Sequence, residues 1–110
     1  MYFSPGDAEI KSRNFALMNK IITGIQYFPE SKILISGHTD AVGNEDKNLA
    51  LSLLRAQNVQ KFLTEVGGIP GEFIESKGFG ESKPIANNSK RADREKNRRI
   101  EVLIINEPRK

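Results

Sequence analysis

A short apolar strand feeding a long helix constrains this chain more than any other feature. Lys32-Ile33-Leu34-Ile35-Ser36, bounded by Ser31 and Gly37, is brief and rich in branched side chains, which predicts a buried strand. From Asn44 to Val66, the positions Asn48, Leu51, Ser52, Arg55, Val59, Phe62, Leu63 and Val66 recur at helical spacings. Gly43 before this helix suits a positive φ, and Gly67-Gly68 after it suits a C-cap. Phe73 to Phe79 reads as the next strand. Strands joined by a helical crossover are expected to lie parallel in one sheet, and right-handed crossings place the helices on one face.

The flanking segments extend this unit. Tyr2-Phe3 suggests a small strand, and Ser4-Pro5-Gly6-Asp7 carries the cap hydroxyl, early proline and early carboxylate that predict a helix start. Ile10, Asn14, Leu17, Met18, Ile21, Ile22, Ile25 and Phe28 then form one stripe until Pro29 stops it. After Phe79 comes a long polar loop, "GESKPIANNSKRADREKN", with one helical turn near Ala92, and Arg99 to Ile105 reads as a final strand. The predicted order is β-α-β-α-β-loop-β, an α+β arrangement without internal repeats. At 110 residues the chain is expected to form a single domain, residues 1–110.

The second helix carries an anomaly. Its stripe is polar in the first half and apolar in the second, and Arg55 lies between Leu51 and Val59 on the face that should be buried. An unpaired guanidinium there would be strongly unfavourable, so Arg55 needs a carboxylate partner or an opening to solvent. Asp40, just beyond the preceding strand, is the nearest carboxylate in the chain at that strand's end. One reading is a structural ion pair, or an arginine snorkelling from the edge of the stripe. The other is a paired anion and cation ready for a zwitterionic ligand, its ammonium on Asp40 and its carboxylate on the planar fork of Arg55.

Other chemistries fit less well. There are no cysteines, which excludes a disulfide framework, thiolate zinc sites and thiol nucleophiles. The one histidine, His38, has no second ligand cluster, so it reads as a hydrogen bonder fixing its loop rather than a metal ligand. A hydrolytic triad of His38 and Asp40 with Ser36 or Ser52 lacks a nucleophile-elbow pattern, and the chain is not expected to be an enzyme. No cofactor or metal is expected. The net charge of +3 is concentrated in Lys90, Arg91, Arg94, Lys96, Arg98 and Arg99. That run contains no stacking aromatic, which favours arginines supporting a site over nucleic-acid binding. No apolar run approaches the ~20 residues of a membrane span, and no leader pattern follows Met1, so the chain reads as cytosolic or as a domain cut from a longer protein.

Four blocks together carry a family resemblance: "SGHTDAVG", "NLALSLLRAQNV", "GFGESKPIANN" and "RADREKNRRIEV". In this order, from about residue 31 to 105, they resemble the OmpA-like domain found at the C-terminus of OmpA, Pal and MotB. The resemblance implies a β-α-β-α-β-β sandwich with a mixed four-stranded sheet and helices on one face. It also implies non-covalent peptidoglycan binding, tethering an outer-membrane or envelope protein to the cell wall from the periplasmic side. In such domains the positions of Asp40 and Arg55 hold the stem peptide's diamino acid, usually meso-diaminopimelate, with ornithine as a variant. Thr39, Asn48 and Arg98 match positions beside the family's pocket. The other readings are an OmpA-like scaffold making protein contacts without wall binding and, less favoured, a nucleic-acid binder using residues 90–99. Membrane attachment would belong to regions outside this sequence.

Overall fold

A computed structural model of the chain describes residues 1–105. Its elements are α1 (Phe15–Gln26), entered through a 3-10 turn at Ser12–Asn14, β1 (Lys32–Gly37), α2 (Glu45–Glu65), a 3-10 turn at Gly71–Phe73, β2 (Ile74–Gly78), α3 (Arg91–Asn97) and β3 (Ile100–Ile105). The sheet has the order β2-β1-β3, with β1 parallel to β2 and antiparallel to β3. The α2 crossover thus makes the parallel pair expected of it. No helix of the described residues is long and apolar enough to cross a membrane.

One row of the sheet makes the core. Ile33 and Ile35 of β1 align with Ile74 and Ser76 of β2 and with Ile104 and Val102 of β3. Side chains two apart point the same way. This row packs with Met18, Ile22 and Ile25 of α1 and with Ala56, Val59 and Leu63 of α2. At its far end Gly37 aligns with Gly78, and α2 descends onto both. A Cβ on Gly37 would overlap the Ser52 carbonyl oxygen, and one on Gly78 would sit 2.6 Å from the Leu53 nitrogen. Both obstacles are backbone, which cannot swing aside. Gly37→Ala is therefore expected to cost about 3 kcal/mol, the upper end of ordinary overpacking, measured by urea unfolding.

α2 begins as its sequence suggests. The Asn44 side chain accepts from the Lys47 N–H at 3.0 Å, Gly43 has a φ of 92°, and Gly68, with a φ of 69°, donates back to the Thr64 carbonyl.

Two expectations are corrected. Among the described residues the sheet has three strands, not four: Tyr2 makes an isolated antiparallel bridge to Arg99, flanked by Phe3 N–H to Arg98 O and Ile100 N–H to Met1 O. The chain turns away at Pro5-Gly6 before a longer ladder can form. Nor does a helix start at Ser4. Gly6 takes a φ of 70°, and Ser4 O accepts from Asp7 N–H in a turn. The segment stays irregular until Ser12 because its carbonyls are used elsewhere.

Candidate functional site

The site grows from the end of β1. The chain leaves the sheet at Gly37, and two backbone bonds hold its continuation: His38 N–H to Arg99 O and Thr39 N–H to Gly80 O, each 2.9 Å. Thr39 Oγ1 donates to Asp40 O at 2.8 Å, and Asn48 Nδ2 from the first turns of α2 reaches Val42 O at 3.0 Å and Asp40 O at 3.4 Å. Thr39 and Asn48 thus fix the loop that presents Asp40. Asp40 is 7% exposed, its carboxylate accepting from Val42 N–H at Oδ1 and from Arg98 Nη1 at Oδ2, 3.1 and 3.0 Å.

Arg55 is fully buried and is the largest such side chain among the described residues. Its partners are not carboxylates. Nε donates to Asp7 O at 2.7 Å, Nη1 to His38 O at 3.0 Å and Nη2 to Ser4 O at 3.1 Å, while the Phe3 ring lies 5.0 Å from its guanidinium carbon. The irregular N-terminal segment therefore clasps the guanidinium, with Asn58 Nδ2 fastening the same segment at Ala8 O. Of the five guanidinium N–H groups, one on Nη1 and one on Nη2 keep no acceptor among the described residues. Burial, then the neighbouring Arg98 charge, bring the Arg55 pKa down to about 10, against the pull of Asp40 and Asp7. It remains cationic at neutral pH. The ion pair between Asp40 and Arg55 is replaced by one between Asp40 and Arg98, and Asp40 acts on Arg55 through its charge.

All five residues singled out from the sequence, Thr39, Asp40, Asn48, Arg55 and Arg98, line one cleft of about 440 Å³. That volume lies within the range of small-ligand sites. Pro5, Gly6, Val42 and Leu51 complete its wall, with Arg91 and Arg94 from α3. These last two were missed as site residues. Their signal was present: Arg91, Arg94 and Arg98 are spaced three and four apart, a helical stripe, but the segment reads from sequence as a loop with one turn. Asn97 was likewise not assigned to the site. Fully buried, it accepts from Ile85 and Ala86 N–H and donates to Asn88 Oδ1, fastening the loop before α3 to that helix's last residue.

The basic run divides in the fold. Arg98, at the C-cap of α3, faces the cleft, whereas the next residue, Arg99, binds Glu101 at 2.6 Å and Lys83 O at 3.0 Å. Lys96 pairs with Asp93. No group of three His, Cys, Asp or Glu among the described residues is placed to hold a metal.

His38 lies behind the site, 2% exposed and stacked on Phe79 with centroids 5.4 Å apart. The sequence suggested a hydrogen bonder; instead neither ring nitrogen has a hydrogen-bond partner among the described residues. Burial first, then the Arg99 charge, hold its pKa below the ordinary value, opposed by Glu101 with Oε2 3.8 Å from Nε2. The unfolded chain therefore takes up this proton more readily. The contribution is fully present above pH 6.5 and declines as the pH falls below it. Glu101, held low by Arg99, and Asp7, held low by the Glu9 N–H, add their own losses only below about pH 4.5. Between these limits the parent is expected to lose up to about 1.4 kcal/mol per pH unit relative to His38→Phe, which keeps the stack without the proton. Urea unfolding at stepped pH reads this. The difference between the two proteins removes the α-amino group, whose pKa burial also lowers.

The chain is similar to several known proteins. The OmpA family model matches residues 2–98. Motility protein B of Bacillus subtilis is 37% identical over 109 residues, covering 96% of this chain and 42% of the relative. The peptidoglycan-binding protein ArfA of Mycobacterium tuberculosis is 31% identical over 102 residues, covering 93% of this chain and 31% of the relative. The chain spans less than half the length of each. Among solved structures, the peptidoglycan-associated lipoprotein of Burkholderia pseudomallei superposes with a TM-score of 0.86 at 29% identity, over 94% of this chain and 86% of that one.

Proposed function

The chain belongs to the OmpA family, and from that premise we propose that it binds bacterial peptidoglycan non-covalently through the diamino acid of the stem peptide. The observation that carries this reading is the meeting of a nearly buried carboxylate, Asp40, and a fully buried guanidinium, Arg55, at one cleft without a direct bond between them. The Asp40 oxygens each accept one protein hydrogen bond, which leaves lone pairs for a ligand ammonium. Arg55 keeps one N–H on Nη1 and one on Nη2 that no carbonyl among the described residues accepts, and these are the donors left for the ligand carboxylate.

Thr39 and Asn48 act by holding the loop, and Arg98 by orienting Asp40. Meso-diaminopimelate, with an ammonium and a carboxylate on one carbon at its free end, satisfies both charges; ornithine satisfies Asp40 alone. This is binding rather than catalysis. The relatives ArfA, a peptidoglycan-binding protein, and the peptidoglycan-associated lipoprotein support the same ligand. In this account residues 1–110 serve as one domain of an envelope protein, on the periplasmic side, tethering it to the wall.

Co-sedimentation with purified peptidoglycan tests the proposal. The domain should pellet with the wall material and be released by excess soluble stem peptide ending in diaminopimelate. A domain that stays in the supernatant contradicts wall binding and leaves a scaffold for protein contacts as the better reading.

A further inference from the structure

Four guanidinium groups line the cleft, those of Arg55, Arg91, Arg94 and Arg98, against the single carboxylate of Asp40. Asp40 neutralises Arg98 directly. The carbonyls around Arg55 accept its hydrogen bonds without cancelling its charge. Arg94 spends Nη1 on Asn88 O at 3.2 Å, and Arg91 is exposed and makes no hydrogen bond or ion pair among the described residues. A ligand end carrying one ammonium and one carboxylate brings no net charge, so it would leave this cationic surplus as it found it.

The two outer arginines are three apart on α3, so they stand side by side at the mouth of the cleft. Neighbouring guanidinium groups favour a planar anion that both can reach. Resting on the peptidoglycan reading above, we propose that Arg91 and Arg94 form a second carboxylate subsite, which takes the C-terminal carboxylate of the stem peptide while Asp40 and Arg55 hold the free end of its diamino acid. The domain then selects stems with a free C-terminal carboxylate over stems in which that group is an amide.

The test is a calorimetric titration at low salt with two synthetic stem peptides, both ending in diaminopimelate with its free end intact. One has a C-terminal carboxylate, the other a C-terminal carboxamide. The parent domain should bind the carboxamide at least fivefold more weakly, and the gap should shrink as salt is raised. The R91Q/R94Q double variant should bind both peptides alike, at the strength the parent shows for the carboxamide. R91Q alone, at an exposed position without contacts to lose, should narrow the gap in part and guards against a folding defect from the Asn88 contact. Equal binding of both peptides by the parent overturns the second subsite and leaves the peptidoglycan reading standing. A full preference retained in the double variant overturns the assignment to Arg91 and Arg94. Failure of the parent to bind either peptide overturns the peptidoglycan reading and this subsite with it.

Discussion

Arg55→Ala is expected to lower the unfolding free energy by about 3–5 kcal/mol, the range for truncating a large buried side chain whose hydrogen-bond partners are left behind. The substitution strands the carbonyls of Asp7 and His38, leaves Ser4 O only its Asp7 N–H donor, removes the group on which the Phe3 ring rests, and empties the space of the largest fully buried side chain among the described residues. Each stranded carbonyl costs about 1–3 kcal/mol unless water reaches it. In a domain of this size the loss corresponds to a fall in Tm of more than about 10 °C. Arg55→Lys should lose less but still visibly, because a single ammonium cannot span three carbonyls arranged around a planar fork. Denaturant unfolding checks both. A loss below about 1 kcal/mol for Arg55→Ala would mean that the guanidinium is not the clasp of the N-terminal segment. One consequence is practical: a binding defect in an Arg55 variant has to be read beside its stability.

Asp40→Asn separates binding from folding. The amide oxygen can still accept the Val42 N–H, but the amide nitrogen faces Arg98 Nη1, donor against donor, so a cost of about 1 kcal/mol is expected. The effect on the ligand is larger. The ammonium loses its counter-charge and a charge-assisted hydrogen bond worth about 1.5–3 kcal/mol, which amounts to roughly tenfold to hundredfold in affinity. Sedimentation with peptidoglycan should fall accordingly while the circular dichroism spectrum stays that of the parent. Unchanged sedimentation would remove Asp40 from the binding account.

Much of the fold was readable from residues alone. Ile33 and Ile35 are branched and bounded by Ser31 and Gly37, the α2 stripe is periodic, and Asn44, Gly43 and Gly68 sit where local geometry favours them. The oddity of Arg55 was also readable, since a cation in an apolar stripe is visible in the sequence. Its partners were not. They are backbone carbonyls, two of them from a segment some fifty residues earlier in the chain, and a carbonyl has no residue type to signal it. The same interaction explains why Ser4-Pro5-Gly6-Asp7 misleads. Its cap residues favour a helix, but a helix would turn the Ser4 and Asp7 carbonyls inward along its own axis, away from Arg55. Gly6 permits the turn that keeps them available. α3 was underread for a related reason: Arg91–Asn97 has no apolar stripe, only a cationic one that faces a cleft rather than a core.

The cleft is expected to recognise both charges at the free end of a diamino acid. A calorimetric titration of the parent domain with three stem peptides tests it, one carrying meso-diaminopimelate, one lysine, and one diaminopimelate acetylated on its free amine. The first should bind most tightly. A loss of tenfold or more is expected for lysine, which keeps the ammonium for Asp40 but offers Arg55 no carboxylate, and a comparable loss for the acetylated form, which does the reverse. Equal affinity for all three peptides would contradict recognition of both charges.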